Sequence, residues 1–344
     1  MEKYMKKIIP LLLIGLLSAG CAESGTANPT VPAGGQTEAN ETGEETTQVS
    51  QASDVKTDFP DNTYKEIPKE YGEICDSQGS ISTFSYKAET EDGEEYEKTA
   101  LVYTPCGYDE NDGARYNILY LMHGGSDNET WYFGGEGKNT SLKRALDNMF
   151  ANGDCEPCIV VTPNYNIPHM DETKSSMNFW RELSDYLIPA VESEFRTYAV
   201  DVTEEGIKAS RRHRAFAGFS MGACAAWCVY ENCLDEIAYF MPISGDCWSV
   251  SGSAEKKAEY LAGKAAEAGY TSKDFCIYAG CGGTGDIAYN NMTPQLEAMA
   301  KLDDTFKFCE NFKDGNFYYT QCSSGHTVNT VIRIIYSGLP AFFG

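Results

Sequence analysis

Gly218-Phe-Ser220-Met-Gly222 sets one serine between two glycines, after a short apolar run from Arg214 and before an Ala-rich stretch. That is the layout of a nucleophile elbow, a strand-to-helix turn that holds a serine hydroxyl clear of both elements. A side chain at 218 or 222 would meet neighbouring backbone, which is why glycines flank such a turn. At the head of the following helix the serine oxygen meets the positive end of the helix dipole, where a developing anion is stabilised.

A serine hydroxyl attacks only when a base takes its proton and a carboxylate orients that base. Around an elbow the chain order is Ser, then Asp or Glu, then His. His123, His169 and His213 all precede Ser220, and His326 alone follows it. Two aspartates close strand-like runs downstream: Asp246 in Ser-Gly-Asp246-Cys-Trp and Asp286 in Gly-Gly-Thr-Gly-Asp286. The pattern favours Asp286 and leaves Asp246 open. Two aligned N–H groups are needed for an oxyanion. Met221, after the serine, is expected to give one, and Gly125 of the His123-Gly-Gly125 turn the other. Trp131, Asn164 and Trp248 flank the same loops and are candidate substrate contacts. Cys155-Glu-Pro-Cys158 is a lone CxxC with no second pair. Zinc is not expected there.

The elements that must position these residues follow from periodicity. Strands are expected at 81–86, 98–103, 116–122, 158–163, 237–244, 274–280 and 316–322, besides the elbow strand. Helices are expected at 141–151, 179–195, after the elbow, at 254–268, around 294–300 and at 328–343, with a loop over 164–176. Strands alternating with helices imply one α/β domain, a mostly parallel sheet covered by helices on both faces.

The chain has 344 residues and a net charge of −24, which argues against a nucleic-acid partner. Lys3, Lys6 and Lys7 precede an apolar run from Ile8 to Leu17, the parts of a signal peptide over residues 1–20. Ser18-Ala-Gly-Cys21 resembles a bacterial lipobox, which implies lipidation at Cys21 and a membrane anchor. Residues 21–60 are acidic and poor in large apolar residues, and read as a disordered linker. Residues 61–344 are left for the folded domain. The twelve further cysteines permit disulfides in an exported chain and require none.

Seven pieces in order resemble the esterase D-like α/β-hydrolases, and most of all carbohydrate esterase family 1, the feruloyl and acetyl-xylan esterases. They are Tyr120–Trp131, Val160–Asn164, the helix ending at Phe195, His213–Gly222, Pro242-Ile-Ser244, Gly283-Thr-Gly-Asp286 and Gly325-His326. The resemblance implies an α/β-hydrolase fold with Ser220 as nucleophile, Asp286 as acid and His326 as base. It selects Asp286 over Asp246 and implies a mechanism with no metal and no cofactor. The implied substrate is acylated plant hemicellulose such as xylan, met outside the cell. Small-ester hydrolysis or acyl transfer on the same fold are the alternatives, and a non-catalytic glycan-binding lipoprotein is the reading from another class. Ala223-Cys224 and Val331 depart from the family pattern, and the 123–131 loop is shorter than in some members. Val331 and that loop are expected at the pocket rim.

Overall fold

The computed structural model describes residues 65–108, 113–309, 312 and 314–344. The signal, Cys21 and the linker lie outside them. Among the described residues, eight strands form one sheet: β1 (Ser80–Glu89), β2 (Glu95–Thr104), β3 (Asn117–Met122), β4 (Cys158–Thr162), β5 (Arg214–Phe219), β6 (Tyr239–Ile243), β7 (Cys276–Cys281) and β8 (Phe317–Gln321). Their order is β1-β2-β4-β3-β5-β6-β7-β8. β1 and β2 form an antiparallel hairpin, β2 runs antiparallel to β4, and the other pairs are parallel. The alternation of strands and helices predicts this mostly parallel sheet, and the family resemblance implies its α/β-hydrolase arrangement.

Eight α-helices of the described residues surround the sheet: α1 (Ser141–Ala151), α2 (Glu172–Glu182), α3 (Ile188–Glu194), α4 (Glu204–Ala209), α5 (Met221–Asn232), α6 (Ala254–Glu267), α7 (Tyr289–Met299) and α8 (Val328–Phe343). Alternate residues of a strand face opposite sides of a sheet. Tyr120, Phe216 and Phe240 accordingly join one core with Phe179, Trp227, Leu261 and Leu296. Leu119, Leu121, Ala215 and Met241 join the other with Leu146, Met149, Ile334 and Leu339. The central strands β3, β4 and β5 are buried along their whole length, as two-sided burial requires.

Two expectations need correction. The loop over 164–176 ends earlier, because Asp171 caps α2 and its carboxylate accepts the Lys174 N–H at 3.0 Å. The helix then continues through a π turn at Leu183–Leu187 into α3, where Pro189 stands in the first turn, and ends at Glu194. Val331 is fully buried in the core rather than at a rim.

The parallel strands β3 to β8 bring their C-terminal ends to one edge of the sheet. In register, Met122 of β3 lies beside Gly218 of β5, and Phe219 beside Ile243 of β6. The residues that leave these strand ends, 123–126, 220–222, 244–246, 282–286 and 323–327, build the site at the edge where open α/β sheets collect their ligands.

Candidate active site

Ser220 has φ 56° and ψ −115°, a conformation that an L-residue holds only under constraint. The constraint is visible in the packing. A Cβ on Gly218 would run into the Gly222 carbonyl, and one on Gly222 into the His123 carbonyl. Ser220 N–H donates to the Ile243 carbonyl at 2.9 Å, and Ser220 O accepts from Ala223 N–H at 2.9 Å. Strand β5 and helix α5 therefore meet at a turn with no room for any other residue type at its flanks.

His326 Nε2 lies 2.9 Å from Ser220 Oγ, and its Nδ1 lies 2.7 Å from Asp286 Oδ1. Asp286 is 3% exposed and receives four donors. Oδ1 accepts from His326 and from Ala288 N–H at 2.9 Å, Oδ2 from Ser244 Oγ at 2.5 Å and Gly282 N–H at 2.8 Å. Burial alone would raise its pKa. Hydrogen bonds from His326, Ser244, Ala288 and Gly282 outweigh that and hold it at about 2. The carboxylate is thus ionised at neutral pH and keeps the imidazole proton on Nδ1, leaving Nε2 free to accept from serine.

The acid and histidine loops are laced together by backbone. Gly325 N–H donates to Gly282 O at 3.0 Å, and a Cβ on Gly282 would collide with the Gly325 carbonyl. Gly325 itself has φ 64°. Asp246, the other candidate acid, is taken elsewhere: it pairs with Lys257 Nζ and accepts from Trp248 Nε1 at 3.2 Å.

Met221 begins α5, and the first N–H groups of a helix have no partner within it. The His123-Gly124-Gly125 turn packs on the elbow: a Cβ on Gly124 would lie 3.5 Å from Ser220 Cβ, and one on Gly125 3.5 Å from Met221 Cε. Gly125 thus packs on Met221, and its neighbour Gly124 on Ser220.

Among the expected substrate contacts, Trp131 stacks on Phe219 at 5.5 Å, and Phe219 lies 4.5 Å from the His326 ring. Trp248 is 42% exposed on the loop after β6. Asn164 donates from Nδ2 to Glu129 Oε2 at 3.1 Å. It borders a groove of about 430 Å³ with Glu97, Lys98, Thr99 and Glu129. His213 is structural, bonded through Nδ1 to Asn117 Oδ1 at 2.8 Å and stacked on Tyr198.

Sequence reasoning missed Ser244 and Gly282, which complete the hydrogen bonding of Asp286. The Ser-Gly pair after β6 and the Gly pair after β7 were the available signals. All twelve described cysteines are free, and eight are buried (155, 158, 224, 228, 233, 247, 281 and 322).

The esterase family model, described as "Putative esterase", matches residues 95–329. Endo-1,4-beta-xylanase Y of Acetivibrio thermocellus is 41% identical over 281 residues, 81% of this chain and 24% of the relative. An endo-1,4-beta-xylanase/feruloyl esterase of Xylanibacter ruminicola is 30% identical over 170 residues, 47% of this chain and 21% of the relative. The chain thus spans about a quarter of the curated relatives it matches. It is also similar to a solved serine-to-alanine mutant of the feruloyl esterase module from Clostridium thermocellum, complexed with sinapinate. Identity there is 39%, with a TM-score of 0.72 over 81% of this chain and 93% of that one. A ferulic acid esterase from Anaeromyces mucronatus shares the fold at 18% identity and TM-score 0.57, over 80% of this chain and 95% of that one. With its fold, the family match and these likenesses, the chain belongs to the esterase family of α/β-hydrolases and is a carboxylic ester hydrolase.

Proposed function

We propose that Ser220, His326 and Asp286 are the catalytic triad of a feruloyl esterase acting on plant xylan. The observation that carries the triad is the unbroken hydrogen-bond line from Ser220 Oγ through His326 to Asp286. His326 Nε2 takes the serine proton as Oγ attacks the ester carbonyl. The tetrahedral oxyanion rests on the N–H groups of Gly125 and Met221. His326 then protonates the departing sugar oxygen, and water, activated by the same nitrogen, releases the acid and restores Ser220. Asp286 stays ionised throughout and stabilises the imidazolium.

The feruloyl rather than acetyl choice is supported by the 39% identical feruloyl esterase module that holds sinapinate, an aromatic acid. Trp131, Trp248 and Asn164 are the proposed contacts to acyl group or sugar. An exported enzyme, released from residues 1–20 and tethered through Cys21 and the 21–60 linker with its folded domain at 61–344, would meet xylan outside the cell. Ser220→Ala is expected to abolish hydrolysis of methyl ferulate at unchanged fold. Methyl ferulate and acetylated xylan assayed side by side test the acyl choice, and faster release of acetate than of ferulate would reject it.

A further inference from the structure

Gly125 lies between two backbone groups that are tied down by side chains. On one side, the Gly124 carbonyl accepts from the Tyr165 hydroxyl at 2.9 Å and from His123 Nδ1 at 2.7 Å. On the other, Ser126 N–H donates to Glu172 Oε1 at 2.5 Å. The same carboxylate oxygen is 2.8 Å from the Tyr165 hydroxyl, so the phenolic proton has both turn and helix in reach. Tyr165 is fully buried in the loop after β4, and Glu172 is the first residue of α2.

A trans peptide is planar, so the Gly124 carbonyl and the Gly125 N–H point in opposite directions. Holding that carbonyl toward Tyr165 and His123 turns the Gly125 N–H away from them. Ser126 has φ 62°, a left-handed conformation that serine rarely adopts, and its N–H is the one that Glu172 holds. The direction of the Gly125 N–H is therefore fixed through the Gly124 carbonyl and the Ser126 N–H on either side of it.

We propose that Glu172 and Tyr165 are positioning residues for the oxyanion hole, holding the 123–126 turn in its working geometry before an ester arrives. This rests on the reading of Ser220 as nucleophile and Gly125 as donor. A donor aimed in advance acts on the transition state, so loosening it lowers kcat and leaves KM nearly unchanged. A mere tether of the loop would instead show in the melting temperature or in KM.

The test uses Glu172→Ala, Glu172→Gln and Tyr165→Phe in the full chain. Measured for each are kcat and KM on methyl ferulate, the Ki of phenylboronic acid and the melting temperature. Phenylboronic acid takes up the serine oxygen as a tetrahedral boronate while the serine proton passes to His326. Outright loss of one oxyanion donor costs about 10²–10³ in kcat, so a misaimed donor should cost about tenfold or somewhat more. Glu172→Ala and Tyr165→Phe are expected to show that loss, with boronate affinity weakened by the same factor. Glu172→Gln, which keeps an oxygen for Ser126 N–H, is expected to recover most of it. Glu172 is only half-buried, so its variants report even where Tyr165→Phe folds poorly. Wild-type kcat in the Glu172 variants, or a loss confined to KM with boronate affinity intact, would overturn the proposal. Turnover persisting in Ser220→Ala is a separate result, and it would overturn the nucleophile assignment and this inference together.

Discussion

Asp286→Asn is the most informative single change at this site. Four donors converge on the carboxylate, two on each oxygen. An amide has one oxygen to offer them. With that oxygen toward His326, the amide NH2 opposes Gly282 N–H, and a buried donor without a partner costs about 1–3 kcal/mol. With the amide reversed, NH2 opposes Ala288 N–H and faces His326 Nδ1. The imidazole must then carry its proton on Nε2, the nitrogen that faces Ser220 Oγ at 2.9 Å, and it can no longer accept from serine. Each orientation leaves one backbone N–H opposed, so neither is strongly preferred. Both lose the charge that stabilises the imidazolium. The expected fall in kcat is on the order of 10²–10⁴, with KM near wild type. Steady-state kinetics on methyl ferulate measure it, with melting temperature as the control for folding. Asp246→Asn belongs in the same experiment. Asp246 is held by Lys257 and Trp248 and does not face His326, so its loss should be far smaller. An Asp286→Asn enzyme within about tenfold of wild type would refute the reasoning, and refutation would be complete if Asp246→Asn were the inactive variant.

Further outcomes follow from the same contacts. Gly282→Ala would drive a Cβ into the Gly325 carbonyl, so it should lower both kcat and the melting temperature, at a cost of about 1–3 kcal/mol in denaturant unfolding. Arg214 is fully buried against Glu192 at 2.5 Å. Arg214→Ala strands that carboxylate and should destabilise the fold by about 3–5 kcal/mol, read from the urea midpoint. Asp286 has its carboxyl lowered from 3.8 to about 2 in the folded state. A depressed carboxyl stabilises the fold above its unfolded pKa, and that share is lost as pH falls from about 4 through about 2. The stability gap between wild type and Asp286→Asn should therefore narrow over that range in pH-dependent denaturation, and a gap that stays constant would reject the assignment.

How much of this was legible in the chain depends on how local the cause is. The strand periods, the α1 and α8 limits and the elbow glycines are written in short stretches, and each appears in the fold where the pattern puts it. His326 was legible by elimination, because it alone follows Ser220. The start of α2 was not, since Asp171 caps a helix whose first turns are polar and carry no clear apolar stripe. The burial of Val331 depends on how α8 packs against the sheet, which no local pattern records. Ser244 shares the same difficulty. It matters only because β6 and β7 are neighbours, so that the loop after β6 reaches a carboxylate on the loop after β7.

The most direct measurement of the central claim is covalent labelling. An aryl fluorophosphonate is incubated with wild-type protein and with Ser220→Ala, and the adduct is mapped by peptide mass spectrometry. A single phosphonyl group is expected on the peptide that contains Ser220, with loss of methyl ferulate hydrolysis in step with labelling and no adduct in Ser220→Ala. Labelling at another residue, or hydrolysis that survives in Ser220→Ala, would contradict the claim.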